Sequence, residues 1–525
     1  MNFRQVVTNL GLIFLAAAGS AMALSLGSME PKITQLVASN PEVHPVSIAG
    51  RALVIDTVQS YETSHFIFYY SVVGPHTLPF VDGNNDGVND HLAQIGGAAE
   101  RIWRAGIDTL GYLPPLITGD STFTYRKPIP AGKVPVELVD MGTASSTFKS
   151  APYMGFTIDS SLTKLKVTQI LLENDFIWDS AGVKIHMGVY APLNQGPNEA
   201  LALDFAADPN RGWAVGLAHE FYHLLQMRYE YSSKWAFHEM SASWFAMRVY
   251  PTIPLQWRSN QRFLNALGWG AFQEGDQNAD ANALFLKTLA ISLGDGVIKQ
   301  LWELRARNKN DAFLYPEETW FSKSVDSLHL DVSKFMKYYS SEVTCMALNS
   351  HCDLNEGGTF QATFPSYSYA TQANSDSTIS TLPIPINPWA ARVDGMNKDA
   401  LVGGKTGFKI TKSDAARYSA ACIIHLPAKK FECISLDSGA IIIAKQPTDT
   451  MWLVFGFSSG GIVRAYPSSL PPTYLAVPNR APVLVTGPVQ RFDLSGRPLK
   501  GDKPRGVYYE RSPDGVVRRK MGLER

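Results

Sequence analysis

Only four cysteines stand in this chain of 525 residues. No two of them are spaced by two residues, so the thiolate knuckle of a Cys-based zinc site is missing. An excess of charge of one sign is missing too. The 47 basic and 47 acidic side chains cancel, which removes the global attraction that nucleic-acid or anionic-membrane partners exploit. Beyond the first two dozen residues no apolar run is long enough to cross a bilayer, and no block repeats at solenoid spacing. With 45% apolar and 18% charged residues, wholesale disorder is excluded. What is left is a globular composition of a length that calls for two or three domains.

The N-terminus reads as an export signal over residues 1–23. Arg4 is the one charge before an apolar stretch from Leu10 to Ala18, and Ala21-Met22-Ala23 offers small residues where a signal peptidase cuts. The expectation is a secreted or cell-surface protein with no transmembrane span once the signal is removed. Cysteine spacing agrees with that compartment. Cys345 lies close to Cys352, and Cys422 close to Cys433, so two short-range disulfides are the natural pairing among the three connectivities that four cysteines allow.

Residues 24–55 carry little pattern and read as a linker or pro-segment. Ser64–Ser71 is a strand-like run of aromatic and β-branched residues, and further strands are expected at Val134–Val139 and Ile185–Tyr190, the latter as a sheet edge. Leu92, Ile95, Ala99, Ile102, Gly106 and Leu110 recur at helical spacing, predicting one helix over His91–Tyr112. Asp208-Pro209, a capping carboxylate before a first-turn proline, opens a helix to about Tyr229. Helices follow at Lys234–Tyr250, Asn282–Leu293, Gly296–Arg307 and Val332–Tyr339. After Cys352 short β-prone runs take over, at Ala420–Leu426, Ala440–Ala444 and Met451–Phe455, beyond a linker or long loop at Gln372–Pro388.

The chemistry concentrates at His219-Glu220-Phe221-Tyr222-His223. Histidines four apart lie one turn above each other on a helix, so two imidazoles can converge on one tetrahedral ion. Glu220 stands where its carboxylate can reach a water on that ion. Val215, Ala218, Tyr222 and Leu225 supply apolar positions around the same helix. A third ligand is still needed. Glu230 lies about 10 Å further along the helix than His223, beyond the reach of a straight helix. Glu239 falls on the next predicted helix, and an antiparallel return would bring it beside the histidines. Small residues at Ser241, Ala242 and Ala246 would permit close approach. His238 is the alternative ligand, on a different face.

HEFYHLLQ followed by Trp235, Glu239 and Ala242 resembles the HExxH…E zinc peptidases known as gluzincins, and more closely secreted bacterial metallopeptidases with a HEFxHxxQ…W…E…A pattern. The resemblance covers roughly residues 60 to 340. It implies an α+β fold: a zincin-like catalytic domain over 56–345, with an N-terminal sheet, the HExxH helix and a helical second half. A β-rich accessory domain over 346–485 would follow. It also implies zinc as cofactor, held by His219, His223 and Glu239, and hydrolysis of protein or peptide substrates by a zinc-bound water that Glu220 activates. Met240 departs from the pattern, which commonly has glycine there. QNADAN at 277–282 stands where such enzymes tend to place an oxyanion-binding Tyr or His. The competing expectation is therefore a zincin scaffold that binds or adheres at a surface without catalysis. A zinc hydrolase acting on esters or glycan-linked amides is the third.

Two further segments carry expectations. Asp82, Asn84, Asp86 and Asp90 match oxygen-ligand positions of a calcium loop, with Gly87 at the sharp turn and Val88 offering its carbonyl. Ala93 stands where an EF-hand has glutamate, and a plain Asx-Gly turn has the same composition. The last 35 residues hold ten basic and five acidic side chains. Their DLxGR step, GVY run and basic end resemble the C-terminal sorting domain of type IX secretion cargo. That likeness implies a tail over 486–525 that addresses the secretion machinery; an ordinary basic hairpin is the other reading.

Overall fold

The computed structural model describes residues 58–141, 155–158, 168–180, 183–190, 201–230, 235–253, 271–272, 282–308, 317–347 and 389–396, and beyond these the strands as far as residue 522. The expected signal peptide, the linker or pro-segment at 24–55, the linker at 372–388, Cys352 and positions 277–281 lie outside the described residues.

The architecture is α+β. A mixed five-stranded sheet runs in the order β1 (Val58–Glu62), β2 (Phe66–Ser71), β3 (Val134–Val139), β5 (Gln169–Glu173), β4 (Gly155–Ile158). β2, β3 and β5 are parallel, and β1 and β4 pair antiparallel at the two edges. The parallel strands are buried on both faces, which explains why FIFYYS and VPVELV are near-continuous apolar runs rather than alternating ones. One face carries Phe66, Phe68, Val136 and Leu172 into the main core with the helices. On the other face the segment around Tyr125 is tied down by the buried Glu137, whose carboxylate accepts from the backbone N–H of Thr124 (2.8 Å) and from Gln169 Nε2 (2.6 Å).

α1 (Asp90–Trp103) is the crossover between β2 and β3, with Asn89 accepting from the His91 N–H as its N-cap. The helix expected over His91–Tyr112 is not uniform. A π-helical turn at Arg104–Thr109 follows Trp103. Gly106 explains the local geometry: a Cβ there would stand 3.0 Å from Leu225 and 3.4 Å from Phe245, so the turn presses its backbone onto the neighbouring helices.

α2 (Pro209–Gln226) lies against β4 and β5 and is buried on nearly every side. Proline holds its first position, but Asp208 does not cap it. Its carboxylate pairs instead with Arg211 one turn on, at 3.1 Å. Gly212 has no room for a side chain, since a Cβ would meet the Phe176 ring at 2.6 Å. α3 (Trp235–Val249) returns along α2. α4 (Ala283–Leu293), α5 (Gly296–Arg307), α6 (Glu317–Ser327) and α7 (Val332–Ala347) complete the helical part. α6 has no counterpart in the sequence expectations, and α7 outruns the predicted Val332–Tyr339 by two turns.

The run Ile185–Tyr190 is not an edge of the main sheet. It is divided between β7 (Val183–His186), which pairs with β6 (Ile177–Ser180), and β8 (Gly188–Tyr190), which pairs with β9 (Leu201–Asp204). Period-two patterning marks a strand but not its partner, and the edge beside α2 belongs to β4.

Beyond residue 388 the described elements are strands. β10 (Ala390–Met396), β15 (Met451–Phe457), β12 (Ser419–His425) and β13 (Lys430–Ser435) form a four-stranded sheet in that order, and α7 rests on three of them. β14 (Ile441–Ile443), β11 (Gly407–Lys412) and β16 (Val463–Ser468) form another sheet. The register of β12 and β13 sets Cys422 directly opposite Cys433. Cys345 is a buried free thiol within α7, and Cys352, its expected partner, lies outside the described residues. The residues up to Ser468 form one compact unit and those from Ser469 a second. In the second, β17 (Gln490–Phe492), β18 (Gly506–Arg511) and β19 (Val517–Gly522) make an antiparallel meander. Among the described residues no helix is long and apolar enough to cross a membrane.

Behind the α2–α3 pair, Arg305 of α5 is fully buried between Glu230 and Glu317, with the rings of Trp320, Trp302 and Phe237 around its guanidinium. Glu317 also accepts from the Phe237 N–H in the first turn of α3 (3.0 Å), so one cation orders both ends of the α2–α3 connection. Removing one partner of a buried ion network is costly. Arg305→Met should lower stability by about 3–5 kcal/mol, read as a fall in urea midpoint; a loss within measurement error would show that this network does not hold the helices.

Candidate metal centre

The site forms where α2 and α3 face each other. His219 faces Glu239 and Ser243, while Gln226 faces His238 and Ser241. Ascending positions on one helix meet descending positions on the other, so the pair is antiparallel. Its packing is tight because Ser241, Ala242 and Ala246 are small and buried. Met240 is buried as well.

Three donor groups converge there. His219 Nε2 lies 3.2 Å from Glu239 Oε2 and 3.1 Å from His223 Nε2, and His223 Nε2 lies 3.5 Å from Glu239 Oε1. The imidazoles stand nearly perpendicular, at 76°. Among the described residues this is the one group of three or more His, Cys, Asp or Glu side chains whose ligand atoms all fall within 4.8 Å of one another, and it could hold a metal ion. The spacing tests the fit. A tetrahedral ion about 2.05 Å from each nitrogen sets neighbouring ligand atoms about 3.3 Å apart, close to the three distances observed. Two nitrogens and a carboxylate also make a donor set suited to zinc rather than to the all-oxygen shells of calcium or magnesium.

The surroundings keep His223 neutral and orient both imidazoles. Burial holds the His223 imidazole down at about 4, against the opposing pull of the Glu239 carboxylate. Its other nitrogen, Nδ1, meets Gln226 Oε1 at 2.8 Å, and His219 Nδ1 meets Ser243 Oγ at 3.3 Å. Tyr222, on the back of α2, pairs with Tyr112 through their hydroxyls at 2.6 Å and stacks on Phe245. Burial raises both phenols, which therefore stay neutral.

Glu220 is held by the sheet. Thr157 of the edge strand β4 donates to Glu220, with its hydroxyl 2.8 Å from Oε2 and 2.9 Å from the backbone carbonyl. Two residues earlier on the same strand, a Cβ at Gly155 would stand 2.9 Å from Glu220 Cγ. The absent side chain at 155 makes room for the glutamate and the hydroxyl at 157 fastens it.

Of the residues singled out from sequence, His219, His223 and Glu239 come together and Glu220 sits beside them. Glu230 is turned away onto Arg305. His238 is not one of the converging ligands; its Nδ1 meets Gln226 Oε1 at 3.1 Å and its ring stands against Trp302. Asp82, Asn84, Asp86 and Asp90 lie apart, in an exposed loop that closes on itself. Asp82 accepts from the N–H groups of Asp86 and Gly87, Asn84 from that of Asp86, and Asp90 from that of Gly83. Asn85 and Gly87 take the positive φ that this turn requires. Thr157, Gly155 and Ser243 were not named from sequence, and Gln226 stood there only as the last residue of HEFYHLLQ, with no role of its own. For Gln226 a signal existed, because a polar residue three positions after His223 shares the face of the motif.

Comparison with known proteins returns no match to a family profile, a curated protein or a solved structure.

Burial, with Arg305 and His223 adding to it, holds the imidazole of His238 well below its ordinary 6.5. The unfolded chain therefore takes up a proton at His238 that the folded chain refuses. This costs stability as pH falls through about 6.5. In metal-free protein the stability advantage of wild type over His238→Asn should shrink between about pH 7.5 and about pH 5.5, followed by thermal unfolding. An advantage that grows on acidification would contradict the neutral burial of His238.

Proposed function

We propose that the chain is a zinc-dependent peptidase, with His219, His223 and Glu239 as metal ligands and Glu220 as the general base. The observation that carries this reading is the meeting of two imidazole Nε2 atoms and one carboxylate on facing helices, beside a second carboxylic residue, Glu220, fastened by Thr157. A zinc ion bound there supplies positive charge that polarises both the attacking water and the scissile carbonyl. Glu220 takes the proton from the water as it adds to the peptide carbon, then delivers it to the departing amine nitrogen. Thr157 and Gly155 keep that carboxylate in one place, so little reorganisation is needed as the proton moves. His223, kept neutral by burial, keeps a lone pair available where a solvated imidazole would compete for protons.

The export-type N-terminus supports placing the protein outside the cytoplasm. The meander of β17 to β19, with GVY at the start of β18 and the basic VRRK run in β19, supports reading the tail as a sorting address. Each carboxylate oxygen of the Asp82–Asp90 loop has a second lone pair, so calcium is compatible with the bonds already made there.

Metal content and cleavage of a mixed peptide library test the catalytic reading together. Wild type should carry one zinc per chain and cleave. Glu220→Gln should carry the same zinc and lose about 10²–10⁴-fold in rate, and His219→Ala should lose the metal. Zinc bound equally by wild type and Glu220→Gln, with neither cleaving, would favour a binding scaffold over an enzyme.

A further inference from the structure

Gln226 is completely buried where α2 and α3 face each other, and the polarity of its four hydrogen bonds is determined by its neighbours. The backbone carbonyl of His238, 2.8 Å from Gln226 Nε2, can only accept. Ser241 Oγ, 3.0 Å from the same nitrogen, has committed its hydrogen to the Phe237 carbonyl at 2.6 Å, so it also accepts. The amide NH2 must therefore face α3, and Oε1 must face the two imidazoles, His223 Nδ1 at 2.8 Å and His238 Nδ1 at 3.1 Å. An amide oxygen only accepts. Both rings must then carry their hydrogen on Nδ1, which leaves the lone pair of neutral His223 on Nε2, the atom that points at His219 and Glu239.

We infer that Gln226 is the positioning residue of the metal centre. It selects the ligating tautomer of His223 and, through the same amide, clasps the turn of α3 that presents Glu239. The inference rests on the reading that His219, His223 and Glu239 hold zinc. It also accounts for His238, which spends its Nδ1–H on the amide that orders the true ligand. A hydrogen-bond acceptor behind a ligating histidine fixes its orientation and raises its basicity, and losing such a partner typically weakens metal binding about 10–100-fold.

The experiment uses the full chain and needs no substrate. In metal-free wild type with 15N-labelled histidine, long-range ring spectra near neutral pH should show His223 and His238 as Nδ1–H tautomers. An Nε2–H form at His223 overturns the inference without any substitution. Zinc affinity is then measured by chelator competition for wild type, Gln226→Met and Gln226→Glu. Both substitutions remove the clasp on α3, but only glutamate retains an acceptor for the imidazoles. The expected result is a loss of about 10–100-fold for methionine and a much smaller loss for glutamate. Equal affinity in wild type and Gln226→Met overturns the inference alone. Equal, large losses in both variants also overturn the tautomer role, since the clasp would then carry the whole effect. A wild-type chain that takes up no zinc overturns the metal reading itself and this inference with it.

Discussion

A helix buried on nearly every side, yet carrying His219, Glu220, His223 and Gln226, sets the constraint on which this structure turns. Polar side chains sealed from water must find partners within the protein, and α2 offers them in two directions. Toward α3 the histidines meet Glu239, Ser243 and, through Gln226, the backbone of His238. Toward the sheet, Glu220 meets Thr157. These partnerships require backbone proximity that larger residues would prevent, which is why Ser241, Ala242 and Gly155 stand at the contacts. The smallness of those residues and the polarity of the helix are two sides of one packing problem.

The same logic orders what lies behind the centre. Arg305 reaches two glutamates and three aromatic faces in a region without solvent, and Glu317 passes that order on to the first turn of α3. Glu239 lies in the next turn. The proposed ligand thus hangs from a helix whose start is fastened by charge and whose middle is fastened by an amide. An ion pair of this kind is weak as a source of stability but strong as a way of fixing register, since neither glutamate can slide without leaving the guanidinium.

How much of this was legible beforehand follows from the range of the interactions. The i, i+4 histidines and the antiparallel return that delivers Glu239 depend on helical geometry over some twenty residues, and the sequence pattern carried them. The parallel strands were visible as apolar runs, and the helix ends were right to within a few residues where proline or a small break marked them. What stayed hidden depends on distant partners. The division of Ile185–Tyr190 between two small sheets, the rise of β4 to the edge beside α2, and Thr157 fastening Glu220 have no local signature. Asp208 looked like a cap but found a nearer partner in Arg211. Helix α6 was missed because its apolar residues, Trp320, Phe321 and Val325, are thinly spread among Glu, Ser and Lys.

The contrast in range has a consequence for assembly. His219 and Glu239 are 20 residues apart, whereas Thr157 and Glu220 are 63 apart. Contacts that close short loops form early and at small entropic cost, while those that join a helix to a remote strand wait for the topology to be completed. A hairpin of α2 and α3 can gather the three donors before the edge of the sheet is in place. Seating Glu220 needs the longer loop closed, since Thr157 is placed by the pairing of β4 with β5. The donors and the neighbouring carboxylate thus depend on different reaches of the chain: the former on one helical hairpin, the latter on a completed sheet edge.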